Sequence, residues 1–213
     1  MIDILAYRHS HQWETGKFKT LFNRMTYQDQ VAVMRYKRWQ DREAHMISRL
    51  MWISALEKRS YPNPMHIDIS EYGRPVWPLE MGDANISHSG DWVLLAITDN
   101  GSVGIDIEKK ALLNIEDFQI GFTKSEWESI TSVKGEKLDY FYKLWTQKEA
   151  VIKADGSGWS ITPDSIEWKH DSAVIGGTVF SLLPIEVAPD HACHLAIGHG
   201  SNMDVNYIEI QNL

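Results

Sequence analysis

Gly104-Ile105-Asp106-Ile107-Glu108 and, about forty residues further on, Trp145-Thr146-Gln147-Lys148-Glu149-Ala150-Val151-Ile152-Lys153 are the two stretches from which the rest of this chain is read. Side chains alternate faces along a strand, so in the first stretch Asp106 and Glu108 share one face and Ile105 and Ile107 the other. The second stretch has helical spacing. Trp145, Glu149 and Lys153 fall at i, i+4 and i+8, which stacks them along one stripe with the Trp at its packed end. Two kinds of element thus aim three carboxylates and a lysine. Carboxylates around an open position suit Mg²⁺, a hard cation that takes oxygen ligands and completes its shell with water and substrate phosphate. A lysine beside them points to a phosphate ligand. Taken singly, an Asp-x-Glu on a strand reads as a solvated face, and a Lys-Glu pair on a helix as an exposed ion pair of little energetic worth.

Upstream, Tyr27 to about Lys58 contains neither Gly nor Pro and places Val31, Met34, Trp39, Met46, Ile47, Leu50 and Ile53 at roughly helical spacing. This predicts one long helix or two in tandem. Pro62 and Pro64 end it, because a proline ring cannot continue a helix. A short strand is expected at His66 to Ile69, then a Gly73-Arg74-Pro75 turn. Strands follow at Ile86 to Ser89 and Trp92 to Thr98, with Asp99-Asn100-Gly101 as the turn before the Gly104 to Glu108 strand. Downstream, helices are expected at Ser125 to Val133 and Glu136 to Ala154, the second stopped by Gly156-Ser157-Gly158. Strands are expected at Ser165 to Trp168, Thr178 to Leu182, Cys193 to Gly198 and Val205 to Ile210. A weak internal echo relates Asp91 to Ile97 with its following strand to Ala192 to Ile197 with its own. The pattern reads as two similar α+β halves.

The 213 residues are 43% hydrophobic with nine Trp, enough for one large domain or two small subdomains sharing a core. A single cysteine, Cys193, permits no internal disulfide and fits a reducing compartment. Met1-Ile2-Asp3-Ile4-Leu5-Ala6-Tyr7 reads as a strand and not as a signal peptide. No apolar run approaches the ~20 residues that cross a bilayer. A soluble, cytoplasmic monomer without membrane or nucleic-acid partners is therefore expected, the net charge of −8 arguing against nucleic acid. Within that acidic chain, Arg35 to Arg59 carries seven cations against three anions. This is either the solvated face of a helix or a surface for an anionic ligand or acidic protein.

Gly104 to Glu108, Phe122-Thr123-Lys124-Ser125-Glu126 and Trp145-x-x-Lys148-Glu149-x-x-x-Lys153 occur in this order, preceded by Tyr72-Gly73-Arg74-Pro75 and Asn85-Ile86-Ser87-His88-Ser89. From about residue 25 to 200 this succession resembles the 4′-phosphopantetheinyl transferases, in particular the long, surfactin-synthetase-activating type. The resemblance implies an α+β fold of two pseudo-twofold-related subdomains, each an antiparallel sheet packed with a helix. It places the site in the cleft between them. Residues 1–101 would form the coenzyme A nucleotide side, and residues 102–213 the metal-binding side with the catalytic helix.

The implied reaction is Mg²⁺-dependent transfer of 4′-phosphopantetheine from coenzyme A to a serine of an acyl or peptidyl carrier protein, releasing adenosine 3′,5′-bisphosphate. By the same resemblance Asp106, Glu108 and Glu149 hold the metal, Glu149 is also the candidate base, and Lys153 stabilises the departing phosphate. Arg74, His88 and Ser89 are expected to contact coenzyme A. Glu126 is expected to be structural or at the rim, and Lys148 to have a supporting role. The chain departs from the pattern in its first helix. Ala44-His45 is followed by Met46 where relatives carry a basic residue, and Val31 and Met34 stand where they carry lysines. Arg38, Arg42 or Arg49 would have to supply that charge. Arg42 and Arg49 are carried forward as coenzyme A contacts.

His191, Cys193, His194 and His199 invite a zinc reading, but they alternate along an expected core strand instead of converging from loops. Tyr140, Phe141, Leu144 and Trp145 read as core packing. The apolar connection from Ala111 to Phe122 either meets the carrier protein or seals the subdomain interface. Two rival functions are a binding module that keeps coenzyme A and carrier recognition without turnover, and a Mg²⁺-dependent pyrophosphohydrolase that passes the group to water.

Overall fold

The first half of the chain runs β1 (Ile2–Arg8), α1 (Thr15–Phe22), α2 (Tyr27–Met34), α3 (Trp39–Lys58), β2 (Asp83–Ser89) and β3 (Trp92–Thr98). The second runs β4 (Val103–Lys109), α4 (Lys124–Ser132), α5 (Lys137–Asp155), β5 (Glu167–Lys169), β6 (Ser172–Ile175), β7 (Thr178–Pro184), β8 (His191–Ile197) and β9 (Val205–Ile210). The computed structural model describes residues 1–158, 161–162, 165–198, 200 and 203–213.

The strands form two sheets, ordered β2-β3-β1-β9 and β4-β8-β7-β6-β5. Their ladders are antiparallel except at one seam. There β9 runs parallel to β1, with Ile2 opposite Val205. The last strand of the chain thus completes the sheet of the first half, a pairing the local pattern around Val205 to Ile210 does not announce.

Alternation along the central strands builds the layers. Leu5 and Tyr7 of β1, with Val93, Leu95 and Ile97 of β3, pack against Ile47, Leu50 and Met51 of α3. The alternate residues Ile2, Ile4, Ala6, Leu94 and Ala96 face Ile105, Ile107, Cys193, Leu195 and Ile197 of the second sheet. All of β3 is therefore buried, apolar on both faces. On the far side, Ala150, Val151 and Ala154 of α5 pack against Phe180, Leu182 and Ala196. The order through the molecule is α3, first sheet, second sheet, α5. This is the expected α+β architecture of antiparallel-rich sheets with helices.

The long helical run resolves into α2 and α3, with Thr26 capping α2 by accepting the Asp29 N–H at 3.2 Å. The expected strand at His66 to Ile69 is reduced to an isolated bridge between Ile69 and Pro75, since a proline has no N–H to extend a ladder. Helix α1 and strand β6 were not anticipated. Helix α4 opens on a capping box, Thr123 accepting the Glu126 N–H and Glu126 accepting the Thr123 N–H at 2.7 Å. Helix α5 stops where Gly156 takes φ 84°. Among the described residues, no helix is long and apolar enough to cross a membrane.

Candidate active site

A cavity of about 520 Å³ lies where α3, β2, β4 and α5 meet. Asp106 and Glu108 line it from β4 and Trp145, Glu149 and Lys153 from α5, as strand alternation and the helical stripe predict. Gly104 makes this approach possible. A Cβ there would run into the Ala150 carbonyl and the Ala154 amide, so only glycine lets α5 lie against β4. Trp145 anchors the other end of the stripe in a cluster with Phe118, Phe122 and Phe141, the aromatic packing expected of that segment.

Lys153 Nζ donates to Asp106 Oδ1 at 2.6 Å, to Ser87 Oγ at 3.0 Å and to the Ile105 carbonyl at 3.3 Å. Ser87 Oγ in turn donates to Asp106 Oδ1 at 3.1 Å. The other oxygen, Asp106 Oδ2, is buried with no hydrogen-bond partner among the described residues. Burial, opposed by Lys153 and Ser87, leaves the Asp106 pKa above the usual range. Burial and the nearby Asp106 raise Glu108 as well. Glu149 is pushed up to about 7 by burial, then by Asp106 and Glu108 against the pull of Lys153. Asp106 raises both Glu108 and Glu149, and Glu108 raises Glu149, a field that a cation would relieve.

The expected metal triad is not preassembled. Among the described residues no three His, Cys, Asp or Glu side chains converge as a ready ligand set. One oxygen of Asp106 is instead taken by the Lys153 ammonium. The donor set nonetheless fits Mg²⁺ on the structure's own terms. A buried, partnerless carboxylate oxygen sits beside two further carboxylates on the same cavity, and Mg²⁺ needs only one or two of these plus water and phosphate.

The opposite wall comes from α2 and α3. His45, Ser48, Arg49 and Trp52, at i, i+3, i+4 and i+7, face the cavity together with Asp29. Arg49 Nε meets Asp29 Oδ1 at 2.9 Å as an ion pair, and its Nη2 donates to the Met65 carbonyl at 2.8 Å. Ser48 Oγ and Trp52 Nε1 are buried without a partner among the described residues. Of this wall, the sequence reading made only Arg49 a candidate site residue and named His45 only as part of the Ala44-His45 pair. The signal for the rest was the same helical period that revealed the α5 stripe. Arg42 does not line the cavity and donates to the Tyr36 carbonyl at 3.0 Å. His88 does line it, at the junction with a second groove near Asp41 and Lys109. The surrounding protein, then Lys153 and His45, lower its pKa and favour the neutral imidazole.

Arg74 lies on an adjoining cavity of about 230 Å³ and is already engaged. Its Nη2 donates to both oxygens of Asp83 at 2.7 Å and to the Ala84 and Val103 carbonyls. It clamps the start of β2 to the start of β4. Ser89 Oγ donates to Glu108 Oε2 at 2.9 Å.

Lys148 points away from the Glu149 stripe and forms a buried ion pair with both oxygens of Glu126 at 2.8 Å. Trp168 Nε1 adds a third bond to Glu126. Against the upward push of burial, these donors and the Thr123 N–H hold Glu126 below the usual carboxylate range. The pair ties α4 to α5, matching the structural and supporting roles expected of it. Of the residues behind the zinc reading, His194 Nδ1 pairs with Thr146 Oγ1 at 2.7 Å, His191 Nδ1 with Asp190, and Cys193 lies in the core between the sheets. His199 lies outside the described residues. In the connection after β4, Leu112 is 97% and Ile120 90% exposed, while Phe118 and Phe122 pack inward. It thus divides between a seal and a free apolar surface.

The family model for the 4'-phosphopantetheinyl transferase superfamily matches residues 102–192, and the one for the N-terminal part of 4'-phosphopantetheinyl transferases matches residues 11–100. The 4'-phosphopantetheinyl transferase Sfp of Bacillus subtilis is 45% identical over 98 residues, spanning 45% of this chain and 43% of that protein. The human L-aminoadipate-semialdehyde dehydrogenase-phosphopantetheinyl transferase is 36% identical over 145 residues, 60% of this chain and 47% of that protein. In both cases the match spans less than half of the relative's own length. The 4'-phosphopantetheinyl transferase gsp of Aneurinibacillus migulanus is 30% identical over 168 residues, 78% of this chain and 70% of that protein. With two adjoining family matches meeting at the β3–β4 turn, and a relative aligned over more than two thirds of its length, the chain belongs to the 4'-phosphopantetheinyl transferase superfamily.

Proposed function

We propose that this protein transfers the 4′-phosphopantetheine arm of coenzyme A to a serine of a carrier protein, in a Mg²⁺-dependent reaction that releases adenosine 3′,5′-bisphosphate. The observation that carries this reading is the meeting of Asp106 and Glu108 from β4 with Glu149 and Lys153 from α5 in one cavity, opposite a wall bearing Arg49 and His45 and with His88 of β2 also lining it. Asp106, Glu108 and Glu149 would hold Mg²⁺. When bound, the ion supplies charge neutralisation and in-line orientation of a pyrophosphate.

The chain's own residues account for the remaining chemistry. A serine hydroxyl is a weak nucleophile, and Glu149, a carboxylate on the same cavity, would take its proton. Lys153 also lines the cavity, and its ammonium would suit the negative charge that builds on the departing phosphate. Arg49 and the partnerless donors of Ser48 and Trp52 offer hydrogen bonds to the nucleotide. The exposed Leu112 and Ile120 of the connection after β4 would offer an apolar face to a carrier helix. A single buried cysteine with no disulfide fits a cytoplasmic setting.

Intact-mass spectrometry of an apo carrier protein incubated with this protein and coenzyme A, with Mg²⁺ or with EDTA, tests the reading. A gain of one phosphopantetheine arm in the Mg²⁺ sample alone is expected. Coenzyme A binding without any gain across acyl, peptidyl and aryl carriers would overturn it in favour of a binding module. Release of free phosphopantetheine would point to hydrolysis.

A further inference from the structure

β4 is the edge strand of the second sheet, so the N–H groups of Val103, Ile105, Ile107 and Lys109 that point away from β8 have no backbone ladder to join. Side chains of β2 take them instead, at a constant offset of twenty residues. Asp83 Oδ2 accepts from Val103 at 2.9 Å and Asn85 Oδ1 from Ile105 at 3.0 Å. Ser87 Oγ accepts from Ile107 at 3.4 Å and Ser89 Oγ from Lys109 at 2.9 Å. The carboxylate and the amide oxygen can only accept. A hydroxyl accepts and still has its proton to give.

Those two protons go to the two carboxylates of β4, Ser87 to Asp106 and Ser89 to Glu108. Each serine therefore grips the backbone of β4 and one carboxylate of the cavity with a single atom. With its proton spent on Glu108 and a lone pair on the Lys109 N–H, Ser89 Oγ has no donor left for a coenzyme A phosphate. Glu108 is further held by a hydrogen bond from Trp145 on α5, so its carboxylate is fixed from both halves of the molecule.

We propose that Ser89 is a positioning residue that orients Glu108 for a divalent cation, and not a contact to coenzyme A. The inference rests on the functional reading above. Ser89→Ala is the clean probe, because the Lys109 N–H it abandons is at the exposed end of β4 and can turn to water. Ser89→Thr keeps the hydroxyl, and Ser89→Cys keeps the shape with a weaker donor.

The experiment is a direct Mn²⁺ titration of the full chain by electron paramagnetic resonance without coenzyme A, beside the KM for coenzyme A at saturating Mg²⁺ and a thermal melt to verify folding. Ser89→Ala is expected to weaken Mn²⁺ binding about 10–100-fold, the range typical of lost hydrogen bonds to metal ligands. Ser89→Thr should stay close to the parent, Ser89→Cys should fall between, and the KM should barely move. A raised KM with unchanged Mn²⁺ affinity overturns the proposal and makes Ser89 a coenzyme A contact. A threonine variant as weak as the alanine variant also overturns it. A parent chain that binds no Mn²⁺ removes the metal reading and this inference together. A parent that binds Mn²⁺ but modifies no carrier sinks only the transferase reading, and the titration still decides the role of Ser89.

Discussion

Lys153 Nζ sits 2.6 Å from Asp106 Oδ1, a contact that joins α5 to the edge strand of the second sheet across the candidate site. The carboxylate is almost fully buried, whereas the lysine keeps 27% of its side chain exposed. The ammonium thus offsets the cost of a buried charge while remaining reachable by a phosphate.

Lys153→Ala is expected to lower transfer by about 10²–10³-fold, the loss typical of one electrostatic contact to a transition state. It should also destabilise the metal-free protein by about 1–3 kcal/mol, less than the ~3–5 for breaking a fully buried pair. Mg²⁺ should raise the Tm of the variant more than that of the parent, since the cation can replace the lost ammonium beside Asp106. Differential scanning fluorimetry with and without Mg²⁺ checks this. Equal Mg²⁺ shifts would count against the placement of the ion.

The ion pair of Lys148 with Glu126 should behave differently, because its two side chains are only 4% and 7% exposed and both carboxylate oxygens are engaged. Lys148→Ala strands a buried carboxylate and is expected to cost about 3–5 kcal/mol in urea denaturation. At permissive temperature the folded fraction should keep its KM for coenzyme A. A stable variant with a raised KM would move Lys148 from scaffold to binding site.

Asn85→Ala removes the acceptor of the buried Ile105 N–H and is expected to destabilise by about 1–3 kcal/mol, the cost of an orphaned buried donor. Chemical denaturation provides the measurement. A change below about 0.5 kcal/mol would show that the side-chain ladder between β2 and β4 is not what closes the seam.

Glu149 gives a pH signature in EDTA. Its folded pKa of about 7 lies above the ordinary carboxylate value of 4.5, so the folded state holds the proton more tightly than the unfolded chain. Its contribution to stability is full below pH 4.5 and is lost as the pH rises through about 7. Between these limits the parent should lose stability relative to Glu149→Gln, whose neutral side chain does not titrate. His194, lowered to about 4 by burial and then Lys143, has the opposite sign, losing stability as the pH falls below 6.5. Comparing the two proteins cancels that shared slope. A difference in Tm that does not change from pH 4.5 to 8 would contradict the placement of Glu149.

The site was legible wherever one local period controlled it. Asp106 and Glu108 followed from strand alternation, and Trp145, Glu149 and Lys153 from the helical stripe. Both periods hold because Ile105, Ile107, Ala150 and Ala154 bury the opposite faces. The parallel pairing of β9 with β1 was not legible, since a strand's own pattern names its buried face and not its partner. The pairing of Arg74 with Asp83 was not legible either, because a guanidinium suits a carboxylate as well as a phosphate and only the fold brings the two together. In Asp83-x-Asn85-x-Ser87-x-Ser89 the alternation of polar side chains was visible. Its purpose emerges only with the unpaired edge of β4 alongside.

The most direct measurement of the central claim is the initial rate of holo-carrier formation, followed by intact mass, for the parent chain, Asp106→Ala and Glu149→Gln at saturating coenzyme A and Mg²⁺. The account predicts a Mg²⁺-dependent rate for the parent and a loss of nearly all turnover in each variant, with circular dichroism spectra unchanged. A variant that folds and retains most of the parent rate would contradict the assignment of these carboxylates to the chemistry.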